Sequence, residues 1–334
     1  MLDDPSLWVL IIIIVLALGF GVVNGFNDAA NAIATVIGTR TLSPRNAIMM
    51  AAVFNLAGAA TGTAVARTIG KGILIPEAIS FQTVVAALAA VIIWTSFATY
   101  RGLPVSLTHG FIAAMGAAGI AAVGTDAVDW GVMTRVASAI VSAPVLGFIG
   151  GFILMILLMW IFRKNAPARI QKIFGNAQIV SAAFMAYSHG KNDGQMPIGI
   201  ITMVFILYTG QTGAWDSIPW WIIVISALSI SLGTAAGGWR VIKTLGMRIT
   251  TLRPVHGFAA EAAAASVIEV ASHLGIPVST THCISSSIMG VGATRRLSAV
   301  RWGIAGNIVA AWVITFPVCG GLGYLFSWLI GMFS

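Results

Sequence analysis

Gly25-Phe26-Asn27-Asp28-Ala29-Ala30-Asn31 places one acid and two amides inside an apolar run from Leu7 to Ile37. The run has about the length of one tilted membrane helix plus a further half helix. An ionisable side chain at that depth is costly and needs partners there, so it reads as part of a functional site. Gly19, Gly21 and Gly25 precede the acid, which predicts a helix broken beside Asp28. Unwound carbonyls next to a carboxylate suit a cation, and the N-terminus of a following half-helix suits an anion. A second copy stands at Gly190-Lys191-Asn192-Asp193-Gly194-Gln195. Sealing a helix contact is the plainer role for either acid; two acids in related motifs favour a site.

The surrounding composition is that of a membrane protein. Of 334 residues, 58% are hydrophobic and 8% charged, against about 25% charged in soluble domains. The mean hydropathy is +0.95. The expected fold class is therefore an all-α polytopic membrane protein in a lipid bilayer. The net charge of +8 lies in short loops, where it sets topology, and implies no nucleic-acid partner. Cys283 and Cys319 lie in apolar segments and suggest neither a disulfide framework nor a metal site. The N-terminus lacks a basic n-region, so Leu7 onward reads as a retained span rather than a signal peptide.

Apolar runs cover roughly 7–37, 46–66, 80–100, 104–123 and 131–162, and then 174–208, 218–236, 255–273, 277–292 and 302–332. Between the two sets, residues 163–172 carry four positive charges and should face the cytoplasm. One crossing per run gives five per half, with both termini external. Arg40, Arg45, Arg101, Arg240, Lys243, Arg248 and Arg253 then fall inside, as do Arg295, Arg296 and Arg301. Arg67 and Lys71 fit poorly, because their loop falls outside.

The halves are related in sequence. Asn27 and Asn192 are 165 positions apart, Pro104 and Pro277 are 173 apart, and Trp130 and Trp302 are 172 apart. Pro144 and Pro317 repeat the offset of 173. An odd number of crossings per half inverts the second half. The expected organisation is a first inverted repeat over 1–165, a short cytoplasmic linker over 166–173 and a second repeat over 174–334. Inverted repeats with interrupted helices mark secondary transporters.

The second polar element is Pro104-Val105-Ser106-Leu107-Thr108-His109 and its copy Pro277-Val278-Ser279-Thr280-Thr281-His282. Each proline suits the first turn of a helix, whose free N–H groups, with the Ser and Thr hydroxyls, would bind an oxyanion. These segments read either as re-entrant hairpins or as simple spans, and the hydroxyls could instead be interhelical glue. His109 and His282 could cap locally or take part in transport. Lys191 could pair with Asp193, reach the anion or lie at the interface. Glu261 and Glu269 share one face of a helix and read as proton carriers or as the lining of a wet cavity. Gly147-x-x-x-Gly151 and Gly233-x-x-x-Gly237 are candidates for helix packing or for a homodimer face. No Walker A, His-Glu-x-x-His or paired-Cys motif is present, so neither an enzyme nor a cofactor is expected.

At residues 25–31, Ser188-His189-Gly190-Lys191-Asn192-Asp193-Gly194-Gln195, Pro277–His282 and the weaker copy at Pro104, the chain resembles the PiT family of inorganic phosphate transporters. The resemblance spans nearly the whole chain. It implies cation-coupled symport of inorganic phosphate across a bacterial or archaeal cytoplasmic membrane. It also implies a coupling-ion site at Asn27, Asp28, Asn31, Asn192 and Asp193, and a phosphate site at Ser106, Thr108, Ser279, Thr280, Thr281 and Gln195. The neighbourhood of Asn55 looks like the bacterial subgroup, which favours protons over sodium; other members carry Glu there. Leu107 replaces the Thr usual in the first segment, and the long hydrophilic insert of many relatives is nearly absent.

Sulfate, or another tetrahedral oxyanion, is the alternative cargo. Phosphate keeps a P–OH group at neutral pH, from which a carboxylate can accept a hydrogen bond, whereas sulfate has none. This predicts phosphate as substrate and arsenate as a competitor. A channel would need a continuous polar pore, and a phosphatase would need a nucleophile and base that the sequence does not supply.

Overall fold

The computed structural model describes residues 7–333. Its helices are α1 (Leu7–Gly38), α2 (Pro44–Ala59), α3 (Ala64–Lys71), α4 (Phe81–Arg101), α5 (Leu107–Val123), α6 (Trp130–Ile161) and α7 (Pro167–Asp193). They continue as α8 (Gln195–Thr209), α9 (Trp220–Ala236), α10 (Trp239–Lys243), α11 (Pro254–His273), α12 (Thr280–Ala293) and α13 (Trp302–Gly331). Among the described residues there is no strand beyond one isolated bridge between Leu74 and Val128. The expectation for the extreme N-terminus, with Asp3 and Asp4 external, lies outside the described residues. Residues 167–173, expected to belong to a linker, form the first turns of α7.

Four helices, α1, α4, α6 and α13, are each long and apolar enough to cross a bilayer. Two broken pairs do so together: α2 with α3, bent by 71°, and α9 with the segment Trp239–Arg248, bent by 62°. Helix interruptions are thus present, but not where the first motif suggested. α1 runs without a break through Asn27, Asp28 and Asn31. Gly25 serves close packing instead: a Cβ there would lie 2.0 Å from the Ile230 carbonyl oxygen of α9. In the second copy the chain does change helices, at Gly194 between α7 and α8.

Along the two halves of the sequence, helices of similar kind follow one another. In chain order these are α1 and then α7 with α8, the bent pairs α2–α3 and α9–α10, the pairs α4–α5 and α11–α12, and the long helices α6 and α13. Their packing follows the same exchange. α1 lies on α9 as α7 lies on α2, and α5 lies on α13 as α12 lies on α6. Gly25 and Gly233 permit the first contact; Gly190 and Gly58 permit its counterpart, where a Cβ on Gly190 would sit 2.2 Å from Asn55 O. Small residues let helix backbones approach in a membrane, where no hydrophobic drive holds helices together. Gly147 and Gly151 pack against Cys283 and Ser287 of α12 within the same chain.

The two Pro-Val-Ser segments sit just past the tips of helical hairpins, α4–α5 and α11–α12. Each tip turns on a glycine with positive φ, Gly102 (72°) and Gly275 (70°), a conformation that disfavours a side chain. Each tip carbonyl is held by the other half: Thr68 Oγ1 donates to Gly275 O (2.7 Å) and Thr244 Oγ1 to Gly102 O (3.0 Å). The prolines do not open helices. They lie two residues before the caps, Ser106 and Ser279, whose hydroxyls accept from His109 N (3.2 Å) and His282 N (3.1 Å).

Candidate functional site

Helical spacing puts Asn24, Asn27, Asp28, Asn31 and Thr35 on the inward side of α1, all buried. On α7 the spacing of four between His189 and Asp193 puts both on one face, again buried. The N-terminal turns of α5 and α12 point their hydroxyls at these two acids. Thr281 Oγ1 donates to Asp28 Oδ1 at 2.9 Å. Thr280 Oγ1 donates to Asp193 Oδ2 at 2.7 Å, and Thr108 Oγ1 lies 3.3 Å from Asp193 Oδ1. Asn31 Nδ2 donates to both Thr280 (3.1 Å) and Thr281 (2.9 Å). Each acid thus takes a hydroxyl from the hairpin of the other half: Asp28 from Thr281, Asp193 from Thr108.

Asn192 fixes Asp193 in place. Its Nδ2 donates to Asp193 Oδ1 (2.6 Å) and to Val278 O (2.7 Å), which ties the motif to the second hairpin. Between the acids lies His189, a residue within the motif to which sequence reasoning gave no role. Its Nε2 is 3.1 Å from Asp193 Oδ2 and 3.9 Å from Asp28 Oδ2. Asp28, His189 and Asp193 converge closely enough to hold one cation. Its other ring nitrogen, Nδ1, is 2.9 Å from Asn55 Oδ1. Asn55 Nδ2 donates to Thr234 Oγ1 (2.9 Å), whose own proton goes to Ile230 O. That chain orients the Asn55 amide so that its oxygen accepts from His189 Nδ1–H. The Nε2 position, facing both carboxylates, is left to exchange a proton.

Several expected residues are engaged by other partners. Asn27 donates from Nδ2 to Thr99 Oγ1 of α4 (2.6 Å). Gln195 does not reach the hydroxyls; its Oε1 accepts from Val65 N (2.9 Å) and Ala66 N (3.1 Å) and caps α3. Lys191 pairs with Glu269 of α11 rather than with Asp193 or the threonines. Ser106 and Ser279 spend an oxygen lone pair on their helix caps. His109 and His282 face each other across the hairpins with ring centroids 4.8 Å apart, and stack on Phe316 and Trp312. Among the described residues their ring nitrogens have no hydrogen-bond partner.

Glu261 forms a second buried polar centre. It accepts from Thr35 of α1 and from Ser181 and Gln178 (the last at 3.2 Å) of α7. No basic side chain pairs with it among the described residues. Thr35 is one turn beyond Asn31 on α1, so this centre adjoins the first.

A bundle of membrane-spanning helices, with two acids and a ring of hydroxyls buried where the N- and C-terminal halves of the chain meet, defines a polytopic transporter. The comparisons identify which kind. The model of the phosphate transporter family matches residues 24–323, and the chain belongs to that family. Its members are transporters and permeases, not enzymes. It is 43% identical to a probable low-affinity inorganic phosphate transporter of Bacillus subtilis, over 98% of this chain and 99% of the relative. It is 42% identical to one of Rhizobium meliloti, over 91% of each. Among solved structures, a sodium-dependent phosphate transporter superposes with a TM-score of 0.90 at 26% identity, covering 98% of this chain and 100% of that one.

Proposed function

We propose that this chain carries inorganic phosphate across the cytoplasmic membrane together with a proton, by alternating access between two inverted halves. The observation that carries the reading is the exchange at the site: each acid is held by a hydroxyl from the opposite hairpin. Moving one hairpin relative to the other half breaks one of these contacts and leaves its partner. Asp28, Asp193 and His189 bind the coupling cation. Thr108, Thr280 and Thr281, with Ser106 and Ser279 at their helix N-termini, receive the anion. Asn31 and Asn192 position the groups that do so.

Two cavities support access from both sides. One, of about 220 Å³, is lined by Thr61, Gly62, Lys191, Gln195 and Ser272. The other, of about 330 Å³, is lined by Phe26, Thr99, Tyr100, Gly237 and Arg240. They occupy matching places in the two halves. Ser272 contacts Asn192 (3.4 Å) as Thr99 contacts Asn27 (2.6 Å). The positive-inside rule supports a cytoplasmic side for the second cavity, beside Arg240.

The imidazole between the carboxylates supports protons over sodium. Hard cations take oxygen ligands, and here a titratable nitrogen stands at the position a sodium ion would share. Glu261, buried without a cation partner among the described residues, is a second place to carry a proton. The test is uptake of labelled phosphate into proteoliposomes under imposed proton or sodium gradients. An inward proton gradient should drive accumulation, and Asp28→Asn or Asp193→Asn should abolish it in protein that still reaches the membrane. Accumulation that needs sodium and ignores a pH gradient overturns the proton assignment; accumulation of sulfate in place of phosphate overturns the substrate.

A further inference from the structure

We propose that a cleft between α6 and α11 holds one anionic phospholipid of the outer leaflet, its headgroup phosphate lying among Arg67, Lys71 and Arg135. The proposal rests on the membrane topology and not on which anion is carried. Arg67 and Lys71 are the cations that the positive-inside rule leaves on the wrong side. The fold places them on α3, beside Arg135 on the first turns of α6, around a cavity of about 320 Å³. Among the described residues none of the three has an ion-pair partner; Arg67 donates to Asp216 O at 3.3 Å. Asp129, the acid that lines the same cavity, is engaged in capping α6, where its Oδ1 accepts from Val132 N at 3.0 Å.

At Arg135 this cavity joins a second one, about 460 Å³ and largely apolar, which follows α6 down to Leu146 against Val267 and Val270 of α11. Trp130, 56% exposed just above Arg135, marks the interfacial level where tryptophan is enriched. From Arg135 to Leu146 the helix descends about 16 Å. That is about one leaflet of a ~30 Å hydrocarbon core. Three cations at the interface end of an apolar cleft one leaflet deep match a phosphate headgroup with its acyl chain. A free anion would account for the cations but not for the cleft. The wall opposite α6 includes Leu274, Ile276 and Val278 of the second hairpin. The next residue is Ser279, the cap of α12, so the lipid braces the element that carries Thr280 and Thr281.

The experiment uses purified full-length protein in vesicles containing phosphatidylglycerol or phosphatidylcholine with a photoreactive group on one acyl chain. Phosphatidylglycerol should label peptides from 138–146 and 266–278, and phosphatidylcholine should not. Arg67→Gln, Lys71→Gln and Arg135→Gln combined should lower that labelling roughly a hundredfold, from about fivefold per cation at an anionic headgroup. Leu146→Trp, which fills the cleft and keeps the cations, should block labelling in protein that remains monodisperse. Millimolar inorganic phosphate should leave labelling unchanged. Equal labelling by both lipids, or labelling that survives the triple substitution, overturns the proposal. So does competition by free phosphate, which would make the cavity an anion port. A disulfide between copies through Leu146→Cys, on a background lacking Cys283 and Cys319, would assign the cleft to a second chain and also overturn it.

Discussion

Removing the hydroxyl of Thr281 should damage transport far more than removing that of Thr108, although the two occupy matching positions in the repeat. Asp28 has one side-chain hydroxyl partner, Thr281 at 2.9 Å, and His189 stands off at 3.9 Å. Asp193 has Thr280 at 2.7 Å, Asn192 at 2.6 Å and His189 at 3.1 Å, with Thr108 only at 3.3 Å. Thr281→Val keeps the side-chain shape and leaves the buried Asp28 oxygen without a donor. A hydrogen bond to a charged group is worth about 1.5–3 kcal/mol, and orphaning its buried partner costs at least as much. That corresponds to roughly a 10- to 100-fold loss in cation-coupled uptake. Asn31 also loses an acceptor, but Thr280 remains for it at 3.1 Å. Thr108→Val removes a long contact from an acid that keeps its other partners, and should cost less than about fivefold, near 1 kcal/mol. The assay is the initial rate of labelled phosphate uptake against cation concentration in proteoliposomes, normalised to incorporated protein. A loss in Thr108→Val equal to or greater than that in Thr281→Val would refute the assigned network.

Unlabelled arsenate should compete with phosphate uptake and sulfate should compete poorly, because a carboxylate-lined site can accept a hydrogen bond from the hydroxyl of the first two and meets only charge in the third; equal competition by sulfate would sink that account. Gly25→Ala and Gly190→Ala should abolish recovery of folded protein, since the added Cβ lies within 2.0 and 2.2 Å of backbone oxygens on the facing helix. Gly19→Ala, with nothing within 4 Å, should behave as wild type on size-exclusion chromatography. Lys191→Gln should slow uptake less than about fivefold, because its pair with Glu269 is partly exposed and such pairs contribute up to about 1 kcal/mol; abolished uptake would restore Lys191 to the anion site. On a background lacking Cys283 and Cys319, an impermeant thiol reagent should label Thr125→Cys but not Lys164→Cys in intact cells, and the reverse pattern would invert the topology.

Composition and charge alone determined that this chain spans a membrane, and repeated offsets in the sequence led to the expectation of two related halves. Sequence also picked out Asp28, Asp193, Asn31, Asn192, Thr108, Thr280 and Thr281, because an acid, amide or helix-capping hydroxyl in an apolar run is costly wherever it is not used. Only the tertiary structure decided what each of them faces. Glycines before Asp28 read as a break; Gly21 and Gly25 instead allow α9 to approach, and the helix continues, since a glycine's missing side chain serves packing as well as bending. Gln195 and Lys191 carry the right chemistry for an anion, yet a helix end at α3 and an acid on α11 take them first. His189 stood in the motif without a role, although its spacing of four from Asp193 put it on the same face. What gives it one is its position between two carboxylates from different halves, and no local pattern encodes a contact between residues 28 and 189. Periodicity and cost are properties of a segment, and sequence exposes them; partnership across the repeat is a property of packing, which only the fold supplies.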